Sequence, residues 1–413
     1  MPVRLQNERR SLLFFAALLI MLVSAFISRA VLSVSVILFV AVSIYHRELK
    51  RQWRIFIQSP VLWSISLLFL VPFISGLWSE DKETWVKALQ VKIPLLVLPF
   101  AFAFPFAMKR ERWHLLAISA ITLLTVLSVW SFINYLGHSD LVHESYLRGK
   151  ALVTPFGNDR VRFSWAISLA IPGALWFAWK NRANRGRFVV FLLLACWLTF
   201  YLHILAVRTG LFTFYVLLLF ILAGLLRRKV RLAGVLFLFI VAMPVAAYFI
   251  FPTFQNRVKY IRHELDFALN GAYKPGSTDP VRLLSIQSGL SQLSSSPLSG
   301  SGFGDVAAAS EQWYEAHFPQ MLPSDRILPS SEFIMYGAGA GVPGLLVFCF
   351  AMALPFFVKF KYLNFFIPVQ VAIVLSFLFD IGLEVQYGVF LFCFTLLCSW
   401  KWLLDENSQS LQE

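Results

Sequence analysis

The sequence predicts an all-α integral membrane protein with about twelve transmembrane helices and a large helical loop on the outer side between spans nine and ten. Three observations carry this. Of 413 residues, 58% are hydrophobic and 14% charged, and the mean hydropathy is +0.70. A soluble globular chain carries about 25% charged residues, so this composition does not build a water-facing surface. The apolar residues, 42 Phe and 13 Trp among them, gather in segments near the ~20 residues that cross a hydrocarbon core. The basic residues fall in short runs between those segments, the pattern of topology signals. A net charge of +14 scattered in this way does not make a nucleic-acid-binding face. A soluble enzyme, a disordered chain and a secreted disulfide scaffold are excluded on the same grounds.

Residues 11–28 and 30–45 form the first two spans, joined at Ser28-Arg29-Ala30. Arg4, Arg9 and Arg10 ahead of them look like the start of a signal peptide. A second apolar segment follows at once with no A-x-A site, so the first is read as a retained helix. Spans three to six are 60–78, 91–108, 114–136 and 163–179. The stretch 188–226 holds one charge, Arg208. At ~1.5 Å per residue it is too long for one crossing, so it turns near Arg208 into spans 188–206 and 209–226. Residues 232–251 make the ninth span, and 331–357, 363–380 and 385–400 the last three.

With the N-terminus inside, both termini are cytoplasmic and 21 of the 36 Lys and Arg fall in inside segments. The short outer loops then hold only Arg29, Lys82, Lys87, Lys92 and Arg208. Two longer outer segments remain, 137–162 and 252–330. The second has helical signals. Val258, Ile261, Leu265 and Leu269 share one face, and Leu283, Ile286, Leu290 and Leu293 another. Asp279-Pro280 reads as an N-cap with proline at the first helical position. The expected organisation is therefore 1–251 with spans one to nine, 252–330 as a large outer loop, and 331–413 with spans ten to twelve and the tail.

The chemistry is sought among ionisable residues at the outer side, because charge at membrane depth is costly. Arg148, Lys150, Arg160, Arg162, Arg208, Arg257, Lys259, Arg262, Arg282 and Arg326 form that set. A guanidinium fork matches phosphate oxygens, although the same residues would also anchor to lipid headgroups or balance loop acids. Asp305, Asp325, Glu332, Asp380 and Glu384 are acidic candidates, as general bases or as partners for arginine. The outer histidines, His138, His143, His203, His263 and His317, show no metal-binding spacing, and the four cysteines lie inside apolar segments. No metal and no cofactor is expected. Pro297-Leu-Ser-Gly300-Ser-Gly302-Phe-Gly304 reads either as a turn that offers N–H groups to an anion or as a plain loop. Gly337-x-x-x-Gly341 reads as a close helix-packing surface.

In order and spacing these features resemble the O-antigen ligase and O-antigen polymerase superfamily. Arg208-Thr-Gly-Leu looks like the family's arginine motif opening a span after a tight outer turn. Arg282 followed by the glycine-rich segment ending at Gly304 looks like its arginine-plus-glycine segment. Ser330-Ser331, nine residues, then Gly341-Val-Pro-Gly344 has the spacing of its His-(Asn/Ser)-x9-G-x-x-G motif. The resemblance covers the topology of the whole chain and mainly residues 205–345 in sequence.

The resemblance implies a glycosyltransferase-C-like helical fold in a bacterial inner membrane, with a periplasmic active site. It implies transfer of a glycan from undecaprenyl diphosphate to an acceptor hydroxyl, without a metal and without nucleic acid. Lipid A-core is the favoured acceptor. Joining of lipid-linked repeat units by a polymerase is the alternative, and a lipid-linked sugar transporter is the rival from another class. Arg208, Arg282, Glu332 and Ser330 are then the catalytic candidates. Arg160, Arg162, Arg326, His317 and Gly302 are those for binding diphosphate or glycan. The family's histidine falls on Ser330 here, and a serine hydroxyl has no titratable group near neutral pH to act as a base.

Overall fold

The computed structural model describes residues 2–146, 152–269, 273, 275–357 and 363–410. Arg148 and Lys150, two of the outer cations, lie outside the described residues. Among the described residues the chain is helical, without a strand. The helices run α1 (Pro2–Ser24), α2 (Arg29–Ile44), α3 (Leu49–Gln58), α4 (Pro60–Ser75), α5 (Lys82–Phe102) and α6 (Arg110–Gly137). Then come α7 (Ser139–Tyr146), α8 (Pro155–Asn158), α9 (Arg160–Lys180), α10 (Arg185–Leu205), α11 (Arg208–Leu226) and α12 (Val230–Ile250). The last are α13 (Pro252–Leu269), α14 (Asp279–Ser295), α15 (Val306–His317), α16 (Glu332–Ala353), α17 (Leu363–Phe379) and α18 (Gln386–Ser410).

Each of the twelve apolar segments is helical, and among the described residues eight helices are long and apolar enough to cross a membrane: α5, α6, α9, α10, α11, α12, α16 continued to Phe357, and α18. The other four fall short for identifiable reasons. α1 begins with Glu8, Arg9 and Arg10 inside the helix. α2 passes only together with α3, from which it is bent by 110°. α2 and α4 have 16 residues each, a rise of ~24 Å against a hydrocarbon core of ~30 Å. The apolar part of α17 is shorter still.

Two local features differ from expectation. α5 starts at Lys82, nine residues before the expected span, because Asp81 caps it by accepting the Thr84 N–H at 2.9 Å. Lys82, Lys87 and Lys92 are therefore helical rather than in a loop. α16 is broken rather than continuous, with Ala340 at φ −143° and Gly341 at φ +67°, ψ −166°. That second conformation is open essentially to glycine alone.

The chain forms two compact units, one from residues 1–116 and 280–413 and a second from 117–279. The 252–330 segment is divided between them at 279/280. In the first unit α4 lies against α5 and α16, and α18 against α5. Phe14, Phe39, Phe102 and Phe104 pack together at its core, with Phe14 stacked on Phe104 at 4.5 Å. In the second unit α9 lies against α10 and α11, and α13 against α7, α10 and α12.

Candidate functional site

The second unit positions its arginines through one sharp turn. α10 ends with Ala206 at φ +46°, Val207 is extended, and Arg208 opens α11. A helix end leaves its last carbonyls without intrahelical partners. Here Thr253 Oγ1 donates to Ile204 O at 2.7 Å and Tyr146 Oη to Leu205 O at 2.8 Å. The turn that aims Arg208 is thus clamped by α13 and α7. Gly210, two residues on, lets α11 close on α9. A Cβ there would stand 2.5 Å from Ser164 Cβ.

Arg208 Nη1 donates to both carboxylate oxygens of Asp279 at 2.5 Å, and Nη2 donates to Thr278 Oγ1 at 3.3 Å. Glu264 lies 3.9 Å from Nη2. The Glu264 carboxylate is buried and accepts from Tyr260 Oη at 2.6 Å, Thr278 Oγ1 at 2.8 Å, the Asp279 N–H at 3.1 Å and the Thr278 N–H. It therefore holds the two residues that hold Arg208. Burial, reinforced by the bond to Glu264, pushes the Tyr260 hydroxyl up to about 12.

Arg257 is buried with its guanidinium 5.0 Å over the Tyr146 ring. Burial lowers its pKa, and the charges of Arg160 and Arg208 push the same way. Three guanidinium groups therefore share one region of this unit. Asp159 caps α9 by accepting the Arg162 N–H at 3.1 Å, and the Arg162 guanidinium lies 3.6 Å from the same carboxylate.

The first unit collects the glycine-rich turn, Ser330 and Glu332 around the broken α16. Pro343 has no N–H for the helix ladder, and Gly341 turns the chain out of it. The turn before the helix makes up the loss. Ser301 N–H donates to Ala338 O at 2.8 Å and Gly302 N–H to Gly339 O at 3.1 Å, while Val342 N–H donates to Pro297 O at 2.8 Å. Phe303 and Gly304 donate their N–H groups to Ser75 and Ser79 at 3.2 and 3.1 Å. These N–H groups serve the fold, so an anion nest at Gly302 is not what the turn forms. Gly337 does lie close to a neighbouring helix, a Cβ there standing 3.2 Å from Leu293 Cδ2 of α14, while Gly341 is also the break in α16.

Ser285, one turn after Arg282 on α14, donates its hydroxyl to Ser330 Oγ at 2.9 Å and accepts the Ser330 N–H at 3.1 Å. Glu332 is fully buried, and one of its oxygens accepts the Leu383 N–H. Lys92 is fully buried, 2.5 Å from Glu384 Oε2 and 5.4 Å from the centre of the Phe303 ring. The buried Glu332 carboxyl, the half-buried Glu384 carboxyl and one ammonium thus tie α5, α16 and the 382–384 turn together.

Other candidates have plain roles. Arg326 pairs with Glu311, the loop balance that was its alternative reading. His317 ends α15, stacked on Trp313 at 4.7 Å with Nδ1 on the Trp313 carbonyl at 2.9 Å. His203 bridges Thr199 O and Tyr215 Oη at 2.7 Å each. Asp305 accepts the N–H groups of Glu80 and Asp81 at 2.8 and 2.9 Å. No group of three or more His, Cys, Asp or Glu able to hold a metal occurs among the described residues. Sequence reasoning passed over Lys92 and Glu264. Lys92, two residues inside an apolar run, was readable as a buried charge. Nothing local marks Glu264, whose partners lie fourteen and fifteen positions away.

Residues 191–349 fit the family model described as O-antigen ligase. No curated protein matches the chain.

Proposed function

Since residues 191–349 of this chain belong to the O-antigen ligase and polymerase superfamily, we propose that it transfers a glycan from a lipid-linked diphosphate to an acceptor hydroxyl. The donor is a glycan on undecaprenyl diphosphate and the favoured acceptor is lipid A-core. The protein works at the periplasmic face of a bacterial inner membrane, with twelve spans in a glycosyltransferase-C-like arrangement and both termini in the cytoplasm. The acceptor oxygen bonds to the anomeric carbon as the bond from that carbon to the diphosphate breaks. The diphosphate leaves with the electron pair, and the acceptor proton passes to water.

The observation that carries this reading is Arg208, at the opening of α11 beside Arg160 and Arg257. Its partner, the Asp279 carboxylate, is itself a two-oxygen anion, and Arg208 is 38% exposed. A donor diphosphate offers the same fork-matching geometry with more charge. Guanidinium groups fixed in place before reaction stabilise the charge that grows on the leaving group, so no metal is invoked. Arg282, Glu332 and Ser330 remain candidates on the resemblance alone. Among them, Ser330 already engages Ser285, and the acceptor needs no strong base when the leaving group is a diphosphate.

The test is the lipopolysaccharide gel profile of a deletion strain complemented with wild type, Arg208→Ala or Arg208→Lys. Wild type restores long glycan on lipid A-core, and both variants fail at normal protein level, since an ammonium loses the bidentate fork. Transfer retained by Arg208→Ala overturns the diphosphate role. Single repeats left on the core in the deletion strain assign the protein to polymerisation instead.

A further inference from the structure

One end of the second unit, where α9 passes to α10 and α11 to α12, is densely basic. Residues 180–187 and 227–231 hold eight Lys and Arg between them, and all eight are exposed. No Asp or Glu occurs between Asp159 and Glu264. Asp159 caps the far end of α9, about 30 Å away along a 21-residue helix.

The two turns converge on one aromatic ring. Lys229 Nζ lies 4.2 Å from the centre of the Trp179 ring, and the guanidinium carbon of Arg182 lies 4.6 Å from the same centre. Trp179 is still 51% exposed. A topology signal requires positive charges on the inside and nothing more. It does not require two separate turns to bring cations to one indole.

Three basic residues of the first unit are arranged differently. Arg110 pairs with Glu406 at 2.7 Å, Lys401 with Asp405 at 2.7 Å, and Lys109 with Glu8. Each of those cations has a carboxylate from its own unit. Two cations meet at the Trp179 ring, the neighbouring sequence holds no acid, and like charges this close repel. Beside them, the start of α12 exposes Val230, Val235 and Leu238 at 67–68%. An anion placed between the cations with its apolar tail on that helix satisfies both features.

We infer that Arg182, Lys229 and Trp179 form a binding site for the phosphate of an anionic phospholipid, whose acyl chains lie on the exposed face of α12. The site is independent of the transfer chemistry proposed above.

The test is native mass spectrometry of the purified full chain titrated with phosphatidylglycerol or phosphatidylcholine, with inorganic phosphate as competitor. Wild type binds phosphatidylglycerol in preference to phosphatidylcholine, and inorganic phosphate does not displace it. R182Q/K229Q weakens binding about 25-fold, at roughly fivefold for each cation at a headgroup. R185Q/R228Q removes the same charge from the same end and weakens it less than about threefold. W179L removes no charge and also weakens binding. Equal losses in the two double variants reduce the effect to general surface charge and overturn the site. So does an unchanged affinity in W179L, and displacement by inorganic phosphate overturns the lipid as ligand. No glycan-transfer assay enters, so failure here leaves the functional reading standing.

Discussion

Lys92 sits fully buried with one close carboxylate, Glu384, and a second, Glu332, on the neighbouring helix end. Removing one member of a buried ion pair leaves the other charge without its counter-ion, at a cost of about 3–5 kcal/mol. Lys92→Met is therefore expected to lower stability by about 3 kcal/mol, read as a fall in the thermal midpoint of detergent-purified protein. Lys92→Met combined with Glu384→Gln recovers part of that loss, because the Glu384 carboxylate no longer stands without its counter-ion. If the double variant is as unstable as the sum of the two single ones, the pair is not the reason Lys92 is buried. Ser330 makes a gentler prediction. Ser330→Ala loses one hydroxyl–hydroxyl bond, worth about 1 kcal/mol, and keeps transfer activity. Loss of transfer at unchanged thermal midpoint would place the hydroxyl in the reaction. Arg208 was legible as a site candidate because it is a lone charge between two apolar spans. Its bond to Asp279, 71 positions away, was not. Ion pairs at that separation leave no periodic trace in a sequence.

Among the elements, α16 shows most clearly what pattern reading misses. Its hydropathy is that of an unbroken span, and the glycine spacing suits helix packing. The break follows from a pair of residues, Gly341 and Pro343. One leaves the helical region at φ +67° and the other lacks the donor that would have continued the ladder. Gly341→Ala imposes a side chain on that conformation and places a Cβ 2.6 Å from Pro297 O. A loss of about 2 kcal/mol or more is expected, seen as a reduced fraction of monodisperse protein. Gly224→Ala in α11 is the matched control, since nothing lies within 4 Å of its added Cβ. It is expected to be neutral or slightly stabilising, by up to about 1 kcal/mol, as alanine is the better helix former. A loss in Gly224→Ala equal to that in Gly341→Ala would mean that the break is not special. The early start of α5 was hidden for a related reason. Lys82–Gln90 is too polar to read as a span, although Asp81 makes a sound cap for a helix that starts outside the apolar run.

For the whole molecule, the hydropathy pattern located every apolar segment but not the two units. Expected boundaries at 251/252 and 330/331 follow changes in composition. The compact units follow contacts such as Tyr336 Oη to Leu68 O, 268 positions apart, and Lys92 to Glu384. The basic residues still make a topological prediction that can be checked. A reporter inserted at 271 reads as external and one inserted after Ala183 as cytoplasmic, measured by paired alkaline phosphatase and fluorescent-protein fusions. The same compartment at both positions would break the twelve-span count. The broken α16 also bears on how the chain is made. Its carbonyls at Ala338 and Gly339 are bonded by Ser301 and Gly302, which leave the ribosome about forty residues earlier. The partners therefore already exist when the opened helix enters the bilayer, and no bare carbonyl waits in hydrocarbon for a later segment to be translated. Had the turn followed α16 in the chain, insertion would have had to proceed with those groups exposed.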